Sequence, residues 1–273
     1  MEKPAKETQY VCPRCQVAAN DELKENDKLF KDNVLEPENA KLWFDRATIL
    51  GSMGYMREAI EALSRAIALD PKCGIFYRWR GHRHLNCGDI PDAAADFTIA
   101  SHLIPDNWDV WYHLGLCNTV LGRREAALYA HKKCLEMTKA DSKLIAITNW
   151  MWINLSLMGR RAEADALLKN IKGDMEAGPD GAYLNMCLVY KGELEAEKLL
   201  KAADDDEEPV LTVMTQAFGL ANYYLVNGNP DKYLETIDFI VENGKEKAWN
   251  CFGYSSACYV KRTYGTGTPE EKV

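Results

Sequence analysis

The chain lacks a long apolar run. Of its 273 residues, 47% are hydrophobic, yet no stretch approaches 18 uninterrupted apolar residues. The nearest, LIAITNWMWINLSLM (144–158), is cut by Thr148, Asn149, Asn154 and Ser156, so it predicts a buried helix and not a membrane span. A basic excess is missing too. With 33 Lys and Arg against 41 Asp and Glu the net charge is −8, which argues against a general nucleic-acid binder. No β-alternating run appears, which excludes an α/β fold. The first residues, MEKPAKETQYVCPRCQ, have no apolar h-region, so no secretory signal is expected. The nine cysteines form no disulfide framework: the count is odd, and Cys73, Cys87, Cys117, Cys134, Cys187, Cys251 and Cys258 are scattered through apolar segments. That pattern fits reduced core thiols and predicts a cytoplasmic protein.

Self-similarity is plentiful. Trp43, Tyr77 and Trp111 stand 34 apart, as do Ala47, Gly81 and Gly115, then Gly54, Gly88 and Gly122, then Ala59, Ala93 and Ala127. Leu63 with Phe97, Ala66 with Ala100, and Pro71 with Pro105 keep the same step. Within one unit these columns fall at helical spacings, which predicts two antiparallel helices per unit. The glycine column marks the turn between them, where positive φ is cheap, and the proline column closes the second helix. Small residues let the paired helices approach, while aromatic and bulky ones fill the space between units.

The segments NAKLWFDRATILGSMGYMREAIEALSRAIALDP (39–71) and GIFYRWRGHRHLNCGDIPDAAADFTIASHLIP (74–105) resemble the tetratricopeptide repeat (TPR) family. The third unit, 107–139, departs late: His131 and Cys134 stand where apolar and alanine columns run, and Lys139 replaces the proline. Beyond it Gly159, Gly192 and Gly228 continue with drifting spacing and mark degenerate units, and AWNCFGYSSACYVKR (248–262) reads as a final capping helix. The resemblance implies an all-α, right-handed α–α superhelix of about six helix pairs plus that cap, over residues 39–264. Residues 1–38 read as an N-terminal arm with a short lead-in helix, and 265–273 as a disordered tail.

The densest cationic cluster is YRWRGHRHLNCGD (77–89). Arg80 shares a column with Arg46; in TPR units such an arginine pairs with an acid on the second helix, and Asp96 is placed for that role. Arg78, His82 and Asn86 lie on the face that in TPR proteins lines the concave groove, and Arg83 reads as facing solvent. The equivalent groove residues are Lys41, Phe44 and Thr48 before it and Asp109, Tyr112 and Leu116 after it, with Asn149 in the slipped fourth unit. The family's dicarboxylate clamp needs Lys and Asn; those slots hold Phe44, Thr48, Trp79, Asp109 and His113, so chaperone C-termini are not the expected ligand. The mixture of cationic, aromatic, amide and acidic groups suits a short peptide or protein segment, or a polar small molecule with one anionic group met by Arg78. The alternative is a small-molecule-binding or enzymatic protein with a polar pocket around Arg78, His82, Asp109 and Tyr112, in which His82, Asp109 and Tyr112 form an acid–base set. An open channel along several units fits the first reading, a closed pocket around His82 the second.

Two further features stand apart. YVCPRCQ (10–16) resembles half of a zinc knuckle, with Cys12 and Cys15 as thiolate ligands; a closed site needs four, and no second pair is found. DDDEEP (204–209) reads as a solvated loop before a helix whose first turn holds Pro209.

Overall fold

A computed structural model describes residues 17–30, 35–178, 181–201, 209–245 and 248–265. Cys12 and Cys15, the acidic run 204–208, and residues 266–273 of the expected tail lie outside the described residues.

Among the described residues the helices follow one another in the expected order: α2 (Ala40–Ser52) packs with α3 (Met56–Leu69), α4 (Gly74–Asn86) with α5 (Ile90–Leu103), α6 (Trp108–Val120) with α7 (Arg124–Met137), α8 (Asp141–Leu157) with α9 (Arg161–Leu168), and α12 (Val210–Val226) with α13 (Pro230–Gly244); between them α10 (Gly181–Lys191) packs on α8 and α12, and the short α11 (Ala196–Lys201) leans on α12. A short α1 (Asp21–Leu29) precedes them and α14 (Phe252–Tyr264) ends the series. The molecule is a superhelix of antiparallel pairs. Gly54, Gly88 and Gly122 take φ of +86°, +71° and +73° in the turns, and Gly159, Gly192 and Gly228 do the same where the 34-residue step drifts.

The columns explain the packing. Gly81 leaves room for the Phe97 ring, which a Cβ would meet at 3.1 Å. Ala59, Ala93 and Ala127 are fully buried at the same contact in successive units. The aromatic column also ties each unit to the one before: the Tyr77 hydroxyl donates to the Pro71 carbonyl (3.2 Å), and Trp111 Nε1 donates to the Pro105 carbonyl (2.7 Å). Each such residue thus closes the preceding unit's last turn while filling the seam, worth roughly 1.5–3 kcal/mol per buried side chain.

The lead-in helix exists, started by Asn20, whose Oδ1 accepts from the Leu23 N–H (2.9 Å). It docks on α2: Leu23 is fully buried, Asn26 Nδ2 donates to the Leu42 carbonyl, Asp27 pairs with Arg46, and Phe30 sets its ring against Trp43 at 4.9 Å. The alanine Ala62 stands in the first unit where Asp96 stands in the second, so Arg46 finds its acid on α1 instead. Arg80 pairs as expected, both Nε and Nη2 donating to the Asp96 carboxylate at 2.8 and 2.7 Å.

The second half coils on itself. Every residue of α8 from Ile145 to Leu155 is buried, the signature of a helix covered on all sides. Trp152 stacks flat on Tyr190 of α10 (3.7 Å, 5°), with Tyr223 of α12 beyond it. After α13, helix α14 packs on α13 and α12 and reaches α4. Phe252 meets Trp150 of α8 and Phe218 of α12. Further along, Asn86 Nδ2 donates to the Asn250 carbonyl (3.3 Å) and Arg262 Nη2 to the Gly88 carbonyl (2.9 Å). The cap therefore joins the last pair to the second one.

Candidate functional site

Helices α2, α4 and α6 set their inner faces side by side, and most sequence-predicted residues meet there. Arg78 Nε donates to Asp109 Oδ2 at 2.6 Å across the α4–α6 seam. His82 lies edge-on to His113, centroids 4.6 Å apart, and His113 in turn stacks on Phe97. Nδ1 of His113 donates to the Asp109 main-chain carbonyl (2.8 Å) and stands 3.4 Å from its carboxylate. Tyr112 stacks on Trp108 at 4.7 Å, and its hydroxyl accepts from Trp150 Nε1 (3.2 Å).

The charges are held in fixed states. Burial pulls the His82 imidazole down to about 3, reinforced by His113 and Arg78. It is neutral at pH 7. Burial alone raises the Asp109 carboxyl, but the His113 and Arg78 contacts outweigh it and hold the group well below the usual carboxylate range. A neutral histidine beside a carboxylate already locked to arginine offers no proton to give and no base poised near neutrality.

One unit earlier the surface is aromatic and cationic. Phe44 stacks on Phe76 (5.4 Å) and sets its edge to Trp79 (5.8 Å). The Arg78 and Arg83 guanidinium carbons lie 4.9 and 5.2 Å from the Trp79 ring centre. Arg83 departs from the solvent-facing expectation: it folds back over Gly51 of α2, because that position has no side chain to stop it. Lys41 is exposed and pairs with Asp45 (2.7 Å), while Thr48 Oγ1 is exposed and donates to the Phe44 carbonyl. Asn86 lies at the edge, half-buried against Asn250.

Two expected groove residues are elsewhere. Leu116 is 2% exposed and belongs to the core. Asn149 is fully buried, its Oδ1 accepting from the Tyr190 hydroxyl (2.9 Å). The fourth unit's slipped spacing misled the assignment, since α8 has no open inner face.

A cluster the sequence reading passed over is His84, Asp89 and Asp92, whose donor atoms lie within 4.8 Å of one another. Asp89 gives both carboxylate oxygens to Arg57, and Asp89 and Asp92 flank the N-terminal turn of α5, where the helix dipole disfavours a cation. Asp89 is thus already engaged by Arg57, with His84 Nδ1 3.6 Å from its carboxylate.

The seven described cysteines are free thiols. Burial pushes Cys134 and Cys187 up to about 12, so they are inert core residues. No described helix is long and apolar enough to cross a membrane.

With this geometry in hand the comparisons are direct. Tetratricopeptide repeat models match residues 40–73 and 80–133. The chain is a tetratricopeptide-repeat protein. The matches cover α2 and α3, then α4 from residue 80 to α7 as far as residue 133; Phe76, Arg78 and Trp79 fall between the two. Anaphase-promoting complex subunit 3 of Schizosaccharomyces pombe is 25% identical over 109 residues, which are 40% of this chain; the chain spans 16% of that relative's length. Among solved structures, YrrB, described as a TPR protein with an unusual peptide-binding site, is 17% identical with a TM-score of 0.48, covering 85% of this chain and 97% of that one. TTC0263 of Thermus thermophilus, described as a thermophilic TPR protein, is 16% identical with a TM-score of 0.41, covering 80% and 98%.

Proposed function

We propose that the chain is a non-enzymatic binding module that captures an extended peptide or protein segment on the inner faces of α2, α4 and α6. One observation carries this reading: Phe44, Trp79, Arg78 and His82 are half-buried on α2 and α4, with the Trp79 ring between Phe44 and the arginine. Aromatic anchors flanked by arginine are the usual composition of a hot spot. Their side chains are already ordered by mutual stacking, which lowers the entropy lost on binding.

The enzymatic alternative gains less support. His82, Asp109 and Tyr112 do converge, but each is committed to a structural partner: His113, Arg78 and Trp150 respectively. The seven free thiols support a reducing compartment, the cytoplasm, as its place of work.

Selection of peptides from a random display library tests the reading. Phe44→Ala and Arg78→Ala are expected to weaken the selected peptides at least several-fold with the fold intact, and Tyr129→Ala, on the outer helix α7, to leave them unchanged. Equal binding by all three variants refutes the groove. Metal analysis of freshly reduced protein separately tests zinc at Cys12 and Cys15.

A further inference from the structure

Arg83 is withdrawn from solvent without receiving a counter-ion. Its guanidinium lies flat over Gly51, so close that a Cβ there would come within 3.0 Å of Nη2. Nη1 reaches Asn86 Oδ1 at 3.3 Å and Met56 Sδ at 3.9 Å, while Nε is buried and has no hydrogen-bond partner. No carboxylate pairs with it among the described residues. Arg78, whose guanidinium also lies over the Trp79 ring, has the same sign; burial first, and then Arg78, lower the Arg83 pKa from its ordinary value. Arg80 and Arg46, by contrast, each hold an acid. A half-buried charge left unpaired costs stability, so the folded chain alone gives no account of Arg83.

The surroundings suit a carboxylate. A guanidinium presents parallel N–H donors that match the two oxygens, and an aromatic wall keeps water from competing. Here two guanidiniums lie against one indole, and only Arg78 is neutralised, by Asp109. Phe44 and Phe76 adjoin Trp79 and would take an apolar neighbour of the bound acid. Asn86 steadies Nη1 and is itself tethered to Asn250, so the C-terminal segment forms the rim. On a chain of net charge −8, long-range steering does not favour an acidic ligand, and recognition must come from this local pair.

We propose that Arg83 and Arg78, both held against the Trp79 ring, seat the carboxylate of an Asp or Glu side chain in an acidic segment captured by the groove. This rests on the peptide-binding reading and names the chemistry of its ligand.

Fluorescence anisotropy of a labelled hexaglutamate peptide with the full chain tests it, with hexalysine as control and glutarate and inorganic phosphate as competitors. The wild-type protein is expected to bind hexaglutamate and not hexalysine, with affinity falling as salt rises. Arg83→Gln should weaken binding about tenfold or more, and Arg83→Lys by less. The melting temperature of Arg83→Gln should be unchanged or higher, which separates lost recognition from lost folding. Absence of hexaglutamate binding, or equal binding by Arg83→Gln, overturns the seat. Displacement by phosphate but not by glutarate also overturns it, in favour of a phosphate site. Selected peptides without Asp or Glu that depend on Phe44 but not on Arg83 would leave the groove standing and remove the seat alone.

Discussion

His131→Leu should make the protein more stable, and increasingly so as the pH falls. His131 stands in the column that holds Leu63 and Phe97 in the preceding units. It is fully buried between α6 and α7, its ring filling the space that Gly115 leaves, and neither ring nitrogen has a hydrogen-bond partner. Burial lowers its pKa from 6.5 to about 3. The unfolded chain therefore takes up a proton that the folded one refuses. Stability from this group is fully present above about pH 6.5 and is lost as the pH falls towards the folded value. At pH 5 the folded imidazole is still neutral, so the loss is set by the unfolded pKa and comes to about 2 kcal/mol. Leucine at 131 removes that term and the two unpaired nitrogens. After allowance for a different side-chain shape, a net gain of about 1 kcal/mol is expected at pH 7. Urea titrations of both proteins at pH 7 and pH 5 measure the difference directly, and His82, which titrates in the same sense, cancels between them. If the gap between variant and wild type is the same at both pH values, the burial argument is wrong.

Other perturbations follow the same logic. Asp96→Asn leaves Arg80 half-buried without its counter-ion and should cost about 2–3 kcal/mol in urea denaturation at pH 7. Gly115→Ala puts a Cβ into the His131 ring and should destabilise by about 1–3 kcal/mol; the same substitution in a His131→Ala background should cost clearly less, a coupling that a double-mutant cycle reads. Phe252→Ala should cost about 2–3 kcal/mol and shift tryptophan emission to the red, because Trp150 loses the ring that covers it.

The columns made the first three units legible because each carries a contact that recurs: small residue against ring, glycine in the turn, aromatic on the preceding proline carbonyl. The Arg80–Asp96 pair was legible for the same reason. His131 was visible as a departure from its column, but spacing does not tell whether a partner waits inside. The return of α14 was not legible. Periodicity reports neighbours, and the bonds of Asn86 to Asn250 and Arg262 to Gly88 join residues far apart in the chain with no periodic trace. Arg83 was misplaced because a helical wheel assigns a direction to the Cβ only; the long side chain then bends into the gap over Gly51. Asn149 was misplaced because α8 is enclosed by its own successors, while Leu116 turns into the core from α6.

An open array of repeats behaves as a spring, each unit yielding to its neighbours alone and its ends fraying independently. The clasp from Arg262 and Asn250 onto the end of α4 turns units two to six into a ring. Stretching must break that clasp before any pitch can open, so force–extension traces should show one high rupture event over the closed part. The first unit with α1 lies outside the loop and keeps the compliance that the remainder has given up.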